Sequence, residues 1–149
     1  MLAPTHISCR SCPCPESKFR LLYVGCDFES LVALRNVLRK PQFQLIACSD
    51  RGSAVLFLKS QIPYHLLLID LEWRGREGLK LARLAHSLRH RKQMATVIVA
   101  ATKLTRHMGA LAREAGADEC VMKTQDMAGV TEAITRLLLI EGRESKPTD

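Results

Sequence analysis

Short runs of consecutive apolar residues alternate with longer amphipathic stretches along most of this chain. The apolar runs span residues 21–24, 43–48, 66–69, 97–101 and 120–122. Such runs are typical of strands that are buried on both faces of a parallel sheet. The stretches between them repeat apolar residues every three or four positions, as one face of a helix does. Five strands alternating with five helices predict a doubly wound α/β sandwich.

The two ends of the chain are predicted to lie outside this domain. A last helix is expected from about Asp126, which can cap it, to Ile140. Residues 18–141 then form one domain, which suits a chain of 149 residues. Residues 1–17 and 142–149 are expected to be flexible tails.

Composition limits the class of protein further. Hydrophobic residues make up 47% and charged residues 25% of the chain, which excludes a disordered protein. No apolar run approaches the ~20 residues that cross a bilayer, and the first residues lack the apolar stretch of a signal peptide. We therefore expect a cytoplasmic protein whose six cysteines are mostly thiols.

Several cysteines are candidates for zinc binding, for redox sensing or for packing in the core. Four potential zinc ligands near the start are His6, Cys9, Cys12 and Cys14. Structural zinc sites usually draw their ligands from two separated pairs, so redox sensing and an unstructured tail stay open beside zinc binding. Cys26 and Cys48 follow predicted strands and are expected to be core thiols.

Positive charge is concentrated in one segment. The net charge is +7, and residues 74–92 hold a single acid, Glu77. The basic side chains there are Arg74, Arg76, Lys80, Arg83, Arg89, Arg91 and Lys92. A basic face can attract nucleic acid or an acidic partner, but no nucleic-acid-binding motif accompanies it. A solvated helix face that includes Lys80, Arg83 and Ser87 is favoured, and nucleic-acid binding is the alternative.

Polar side chains follow the predicted strands at the edge where doubly wound sheets place their functional groups. Asp70 directly follows four apolar strand residues, so we expect it to be exposed at this edge. Lys123 follows the fifth strand, and its ammonium could lie beside Asp70 and contact a phosphoryl group carried there. Asp27 and Asp50 follow the first two strands, where helix capping explains them without a metal.

Two segments around these residues resemble motifs of the receiver domain of two-component response regulators. DLEWRGREGL (residues 70–79) resembles the family's phosphoacceptor run, and AGADECVMK (residues 115–123) resembles its Ala-Gly-Ala run that leads to a lysine. The resemblance spans residues 18–140 and implies a flavodoxin-like sheet of five parallel strands in the order 2-1-3-4-5. It also implies that Asp70 accepts a phosphoryl group from a histidine kinase or phosphotransfer protein, with Lys123 as partner ammonium and Mg²⁺ as cofactor.

The chain departs from the family's pattern at positions that carry this chemistry. Gly25 and Cys26 stand where the family has two acids, and the first acid, Asp27, comes one position later. The hydroxyl residue that usually ends the fourth strand is Ala101, with Thr102 one position beyond as a possible hydroxyl partner.

The missing acids weaken the expected metal site. Asp70 remains as a Mg²⁺ ligand, and Asp27 or Glu72 could compensate for the acids that are absent. We expect Mg²⁺ to bind weakly or not at all, and Lys123 to neutralise Asp70 without metal. Restoring the family's residues is then expected to raise Mg²⁺ affinity and phosphorylation. The substitutions are Gly25→Asp, Cys26→Asp and Ala101→Thr.

Two signalling functions stay open at this point. The chain is a stand-alone receiver that accepts a phosphoryl group on Asp70, or a pseudo-receiver that binds partners without phosphorylation. Neither is a conventional enzyme, since at most the protein phosphorylates and dephosphorylates itself. The resemblance implies an effector or homodimer surface on the fourth helix, fifth strand and fifth helix. Leu138, Leu139 and Ile140 give that last helix more apolar residues than one buried face requires.

Overall fold

The computed structural model describes residues 19–74 and 76–145, with side chains as far as Leu138. Its strands are β1 (Phe19–Val24), β2 (Phe43–Cys48), β3 (Leu66–Asp70), β4 (Ala95–Ala100) and β5 (Glu119–Met122). They form one parallel sheet in the order β2-β1-β3-β4-β5. The predicted sheet and strand order are confirmed.

Helices connect the strands in the predicted alternation. They are α1 (Phe28–Val37), α2 (Arg51–Lys59), α3 (Glu77–Ser87), a short 3₁₀ helix (Arg89–Arg91), α4 (Arg106–Glu114) and α5 (Ala128–Ser145). Helix α5 begins later than predicted because Met127 has a φ of 58°, outside the right-handed helical region. Asp126 still accepts a hydrogen bond from the N–H of Ala128 at 3.1 Å. The helix also continues past Ile140.

Some predictions fall on residues outside the described ranges. They concern the cluster of His6, Cys9, Cys12 and Cys14, the tail over residues 1–17, and residues 146–149 of the second tail. Over residues 19–74 and 76–145, no helix is long and apolar enough to cross a membrane.

Consecutive residues of a strand face opposite sides of the sheet, and helices cover both sides. Leu21 and Tyr23 of β1 face the core that α1 and α5 cover. Their neighbours Leu22 and Val24 face the core that α2, α3 and α4 cover. All of β3 is buried, including its last residue, Asp70. Burial on both faces explains why the apolar runs are continuous rather than alternating.

Three helices begin at side chains that accept backbone hydrogen bonds. Asp27 caps α1 by accepting from the N–H of Glu29 at 3.1 Å. Asp50 caps α2 by accepting from the N–H of Ser53 at 2.8 Å, and Thr105 caps α4. Each cap satisfies an N–H that has no partner within the helix. The capping prediction for Asp27 and Asp50 is confirmed.

The basic segment is only partly a surface feature. Lys80, Arg83 and Ser87 are exposed on α3, as predicted for a solvated face. Arg91 is instead 4% exposed, and its guanidinium donates to three carbonyls at the C-terminal end of α2. One cation of the segment is therefore structural and unavailable to a partner.

The two thiols at the strand ends differ. Cys48 packs against the core, as expected. The prediction for Cys26 was wrong, because this residue lies in the loop between β1 and α1 and is exposed. Its Sγ lies 3.8 Å from the carbonyl oxygen of Ser49.

Candidate functional site

Asp70 lies at the carboxyl end of β3, the central strand of the sheet. The prediction that it is exposed was wrong. Only 6% of the residue is accessible to solvent. The hydroxyl of Tyr23, on the neighbouring strand β1, donates to Asp70 Oδ2 at 2.7 Å. Asp70 Oδ1 is buried and has no hydrogen-bond partner among the described residues. The carboxyl group is thus enclosed by the sheet rather than presented to solvent.

Burial dominates the electrostatics of this pair. It raises the pKa of Asp70 above its ordinary value, although the hydrogen bond from Tyr23 and the charge of Lys123 act in the opposite direction. Burial also raises the pKa of Tyr23, and the charge of Asp70 raises it further. Tyr23 therefore keeps its proton and acts as a hydrogen-bond donor to the carboxyl group.

Gly25 makes this arrangement possible. A Cβ atom at position 25 would overlap Asp70 Oδ2 and would lie 2.5 Å from the hydroxyl oxygen of Tyr23 and 2.8 Å from its Cζ. Real Cβ atoms essentially never approach other atoms so closely. The backbone of Gly25 is outside the left-handed region, so glycine is needed for space and not for conformation. The tyrosine side chain occupies room that a residue with a side chain would need.

Lys123 does not form the predicted ion pair with Asp70. Its Nζ donates to Ser30 Oγ at 2.7 Å and lies 3.4 Å from Asp27 Oδ2. The Ser30 hydroxyl in turn donates to Asp27 Oδ2 at 2.7 Å. This hydrogen bond, more than the lysine, lowers the pKa of Asp27. Both residues belong to the start of α1, so the ammonium links the β5–α5 loop to that helix and influences Asp70 only through its charge.

Glu72 and Thr102 lie at the same edge without completing a site. Glu72 Oε1 accepts a hydrogen bond from the N–H of Ala101 at 3.0 Å, which joins the loop after β3 to the end of β4. Thr102 is exposed. Trp73 is buried, and its indole donates to the carbonyl of Ser49 at 2.9 Å. Hydrogen bonds therefore hold the loop after Asp70 against the end of β4 and against the loop after β2.

Solved structures share this architecture. A receiver domain protein described as CheY-like, from Methanospirillum hungatei JF-1, is 23% identical, with a TM-score of 0.73 over 86% of this chain and 99% of its own. A response regulator from Thermotoga maritima is 19% identical, with a TM-score of 0.69 over 80% and 97%. The chain has the fold of a response-regulator receiver domain.

A third solved structure with this fold contains a bound metal ion. The Mn²⁺-bound response regulator Rcp1 is 18% identical, with a TM-score of 0.66 over 79% of this chain and 92% of its own. The sequence matches no protein-family model and no curated protein. Because these identities are low, the structural neighbours establish the fold, and the residues themselves must decide the chemistry.

The residues of this receiver fold do not fit a divalent cation. Mg²⁺ needs several oxygen ligands in an octahedron. Asp70 Oδ1 is buried without a partner among the described residues, but one such oxygen does not make an octahedral site. Asp70 Oδ2 accepts from Tyr23, both oxygens of Asp27 accept hydrogen bonds at the start of α1, and Glu72 Oε1 accepts from a backbone N–H. Within the described ranges, no group of three or more His, Cys, Asp or Glu residues could hold a metal ion.

Two residues of the site were not anticipated from the sequence. Tyr23 was counted as one more apolar residue of a buried strand, and Ser30 was not singled out. The available signal was the spacing of Tyr23 and Gly25, since alternate strand residues share a face. A tyrosine that points to the functional edge beside a glycine leaves its hydroxyl free to reach the neighbouring strand.

Replacing Asp70 with asparagine is expected to stabilise the protein at neutral pH. Because the pKa of Asp70 is raised, the folded state holds this proton more tightly than the unfolded state, so stability is lost as the pH rises through the raised value. Asparagine cannot ionise, and we expect it to add about 1 kcal/mol to the free energy of unfolding at neutral pH. Urea unfolding at neutral pH and near pH 4 checks this. The gain should shrink at the lower pH, and a pH-independent difference would contradict the assignment.

Proposed function

We propose that the chain is a receiver module of two-component signal transduction that acts as a pseudo-receiver. It passes on a signal through protein contacts rather than through a phosphoryl group on Asp70. Its expected partner is a histidine kinase or phosphotransfer protein, and its expected location is the cytoplasm. The receiver fold supports the class of protein, and the closed pocket around Asp70 supports the mode of action.

The observation that carries the proposal is the state of the Asp70 carboxyl group. A phosphoryl acceptor needs an accessible carboxylate oxygen aligned with the donor, and phosphoryl transfer depends on positioning and on a cation that neutralises charge. Here Oδ2 accepts the Tyr23 hydrogen bond and Oδ1 is buried. Neither oxygen is presented to a donor, and the ligands for a cation are engaged elsewhere.

The proposed partner surface comprises α4, β5 and α5. Met122 at the end of β5 is 42% exposed and offers an apolar contact there. Arg136 of α5 forms two hydrogen bonds with the carboxylate of Glu119, which fixes α5 against β5. Leu138 does not contribute the apolar surplus expected from the sequence, because it is buried in the core. The side chains of Leu139 and Ile140 lie outside the described residues.

Intact mass spectrometry after incubation with acetyl phosphate and Mg²⁺ tests the mode of action. We expect the wild-type protein to gain no phosphoryl group, because no oxygen of Asp70 is available for transfer. Asp70→Asn is the matched control and should likewise gain no mass on incubation. Mg²⁺-dependent labelling of wild type that Asp70→Asn abolishes would overturn the pseudo-receiver proposal and make Asp70 a phosphoacceptor.

A further inference from the structure

We propose that Tyr23 and Gly25 act as a coupled pair that takes the place of a divalent cation beside Asp70. The proposal rests on the proposed function and deepens it, because it names the device that closes the pocket. The pair consists of a hydroxyl that binds the carboxyl group and a glycine that leaves room for the tyrosine. Neither half of the pair is sufficient alone.

The first step of the argument is steric. A Cβ atom at position 25 would overlap Asp70 Oδ2, which the Tyr23 hydroxyl holds in place, and would lie 2.5 Å from that hydroxyl oxygen and 2.8 Å from Tyr23 Cζ. Tyr23 is fully enclosed in the core between the sheet, α1 and α5, so its ring has no alternative position without repacking. An acid at position 25 is therefore incompatible with this tyrosine.

The second step concerns hydrogen bonding. In the closed pocket the Tyr23 hydroxyl donates a hydrogen bond to Asp70 Oδ2. A buried carboxyl group needs such a donor, since burial without one is costly. Lys123 supplies none, because its ammonium is held by Ser30 and Asp27. Tyr23 is thus the hydrogen-bond donor to Asp70 within the described residues.

The pair changes the expectation drawn from the sequence. Restoring an acid at position 25 was expected to raise Mg²⁺ affinity. With Tyr23 in place, Gly25→Asp should instead disrupt the pocket and leave Mg²⁺ affinity unchanged. The atom nearest to a side chain at position 25 is Asp70 Oδ2, which the Tyr23 hydroxyl holds in place, so only shortening the tyrosine both removes the ring and frees the Asp70 carboxyl group to move aside for the new carboxylate. The two substitutions should therefore be strongly non-additive, as is typical of side chains in direct contact.

A cycle of four proteins tests the coupling: wild type, Gly25→Asp, Tyr23→Val and the double variant. Binding of Mg²⁺ alone is followed by Trp73 fluorescence, and binding of Mn²⁺ alone by water-proton relaxation. Trp73 is a suitable reporter because it is the only tryptophan of the chain and is buried in the loop after Asp70. We expect the double variant to bind Mg²⁺ about tenfold or more tightly than either single variant.

One further variant separates the effect of the ring from that of the hydroxyl, and two others replace the cycle if a variant does not fold. Tyr23→Phe with Gly25→Asp keeps the ring and should bind no better than Gly25→Asp. If Gly25→Asp does not fold, the same cycle is run on stability with Gly25→Ala, which should lower the urea midpoint in wild type and much less in the Tyr23→Val background. Additive effects in the metal-binding cycle, or in the stability cycle where Gly25→Asp does not fold, would overturn the coupled pair.

The outcomes also separate this inference from the proposed function. Submillimolar binding of Mg²⁺ to wild type would overturn the coupled pair, since the pocket would then accept a cation with Tyr23 present. Phosphorylation of wild-type Asp70 by acetyl phosphate would overturn the pseudo-receiver. Additive substitutions in a wild type that is neither phosphorylated nor metal-bound would reject the pair and leave the pseudo-receiver standing.

Discussion

Replacing Arg91 with methionine is expected to lower the free energy of unfolding by about 3 kcal/mol. The guanidinium is buried and donates to the carbonyls of Leu58, Phe57 and Ser60 at 2.9 to 3.0 Å. The last carbonyls of a helix lack partners within it, and a cation at this end is favoured by the helix dipole. Methionine would fill much of the volume but remove all three charge-assisted hydrogen bonds, leaving the Phe57 carbonyl to Ser60 and the other two carbonyls to Nε2 of His90.

The ring of Tyr64 also contributes to the stability that Arg91→Met would remove, because its centroid lies 5.0 Å from the Arg91 guanidinium carbon. Urea unfolding followed by circular dichroism measures the loss. Arg89→Met is the matched control in the same 3₁₀ helix, because Arg89 is exposed, and it should change stability by less than about 0.5 kcal/mol. Equal effects of the two substitutions would show that the buried hydrogen bonds contribute nothing.

The architecture could be predicted from the sequence because it depends on local patterns, which are the same whichever residues pack against them. Apolar runs identified the strands, and acids that follow strands identified the caps Asp27 and Asp50. The location of Arg91 could not be predicted in this way, because it depends on a contact with a distant part of the chain. A run of basic residues predicts a solvated face, but the 3₁₀ helix turns this one side chain inward to the end of α2. Such a reversal depends on where another helix ends.

The site was less predictable because its residues choose partners across several strands. Asp70 and Lys123 both lie at the expected edge, yet the carboxyl group pairs with Tyr23 and the ammonium with Ser30. Gly25 was interpreted as a lost acid, whereas the structure gives it a positive role as space for the tyrosine. A missing ligand and a required glycine look identical in one sequence. Only the position of the neighbouring ring distinguishes them.

The backbone beneath Asp70 also depends on a glycine, at the start of α3. A Cβ atom on Gly78 would lie 2.7 Å from the carbonyl oxygen of Asp70 and 3.0 Å from Ile69 Cγ2. That carbonyl already accepts the N–H of Trp73 at 3.1 Å, and the N–H of Leu71 donates to β4. The backbone therefore cannot withdraw from an added methyl group without disturbing the turn after β3.

Gly78→Ala is accordingly expected to lower the free energy of unfolding by about 2 kcal/mol, since overpacking against backbone outweighs the better helix propensity of alanine. Gly109→Ala in α4 is the matched control, because nothing lies within 4 Å of its added methyl group. It should raise stability by about 0.5 to 1 kcal/mol. Urea unfolding of both variants measures the contrast. If alanine stabilises both helices alike, α3 does not pack against the Asp70 backbone as closely as the structure has it, and the enclosure of Asp70 loses its support from that side.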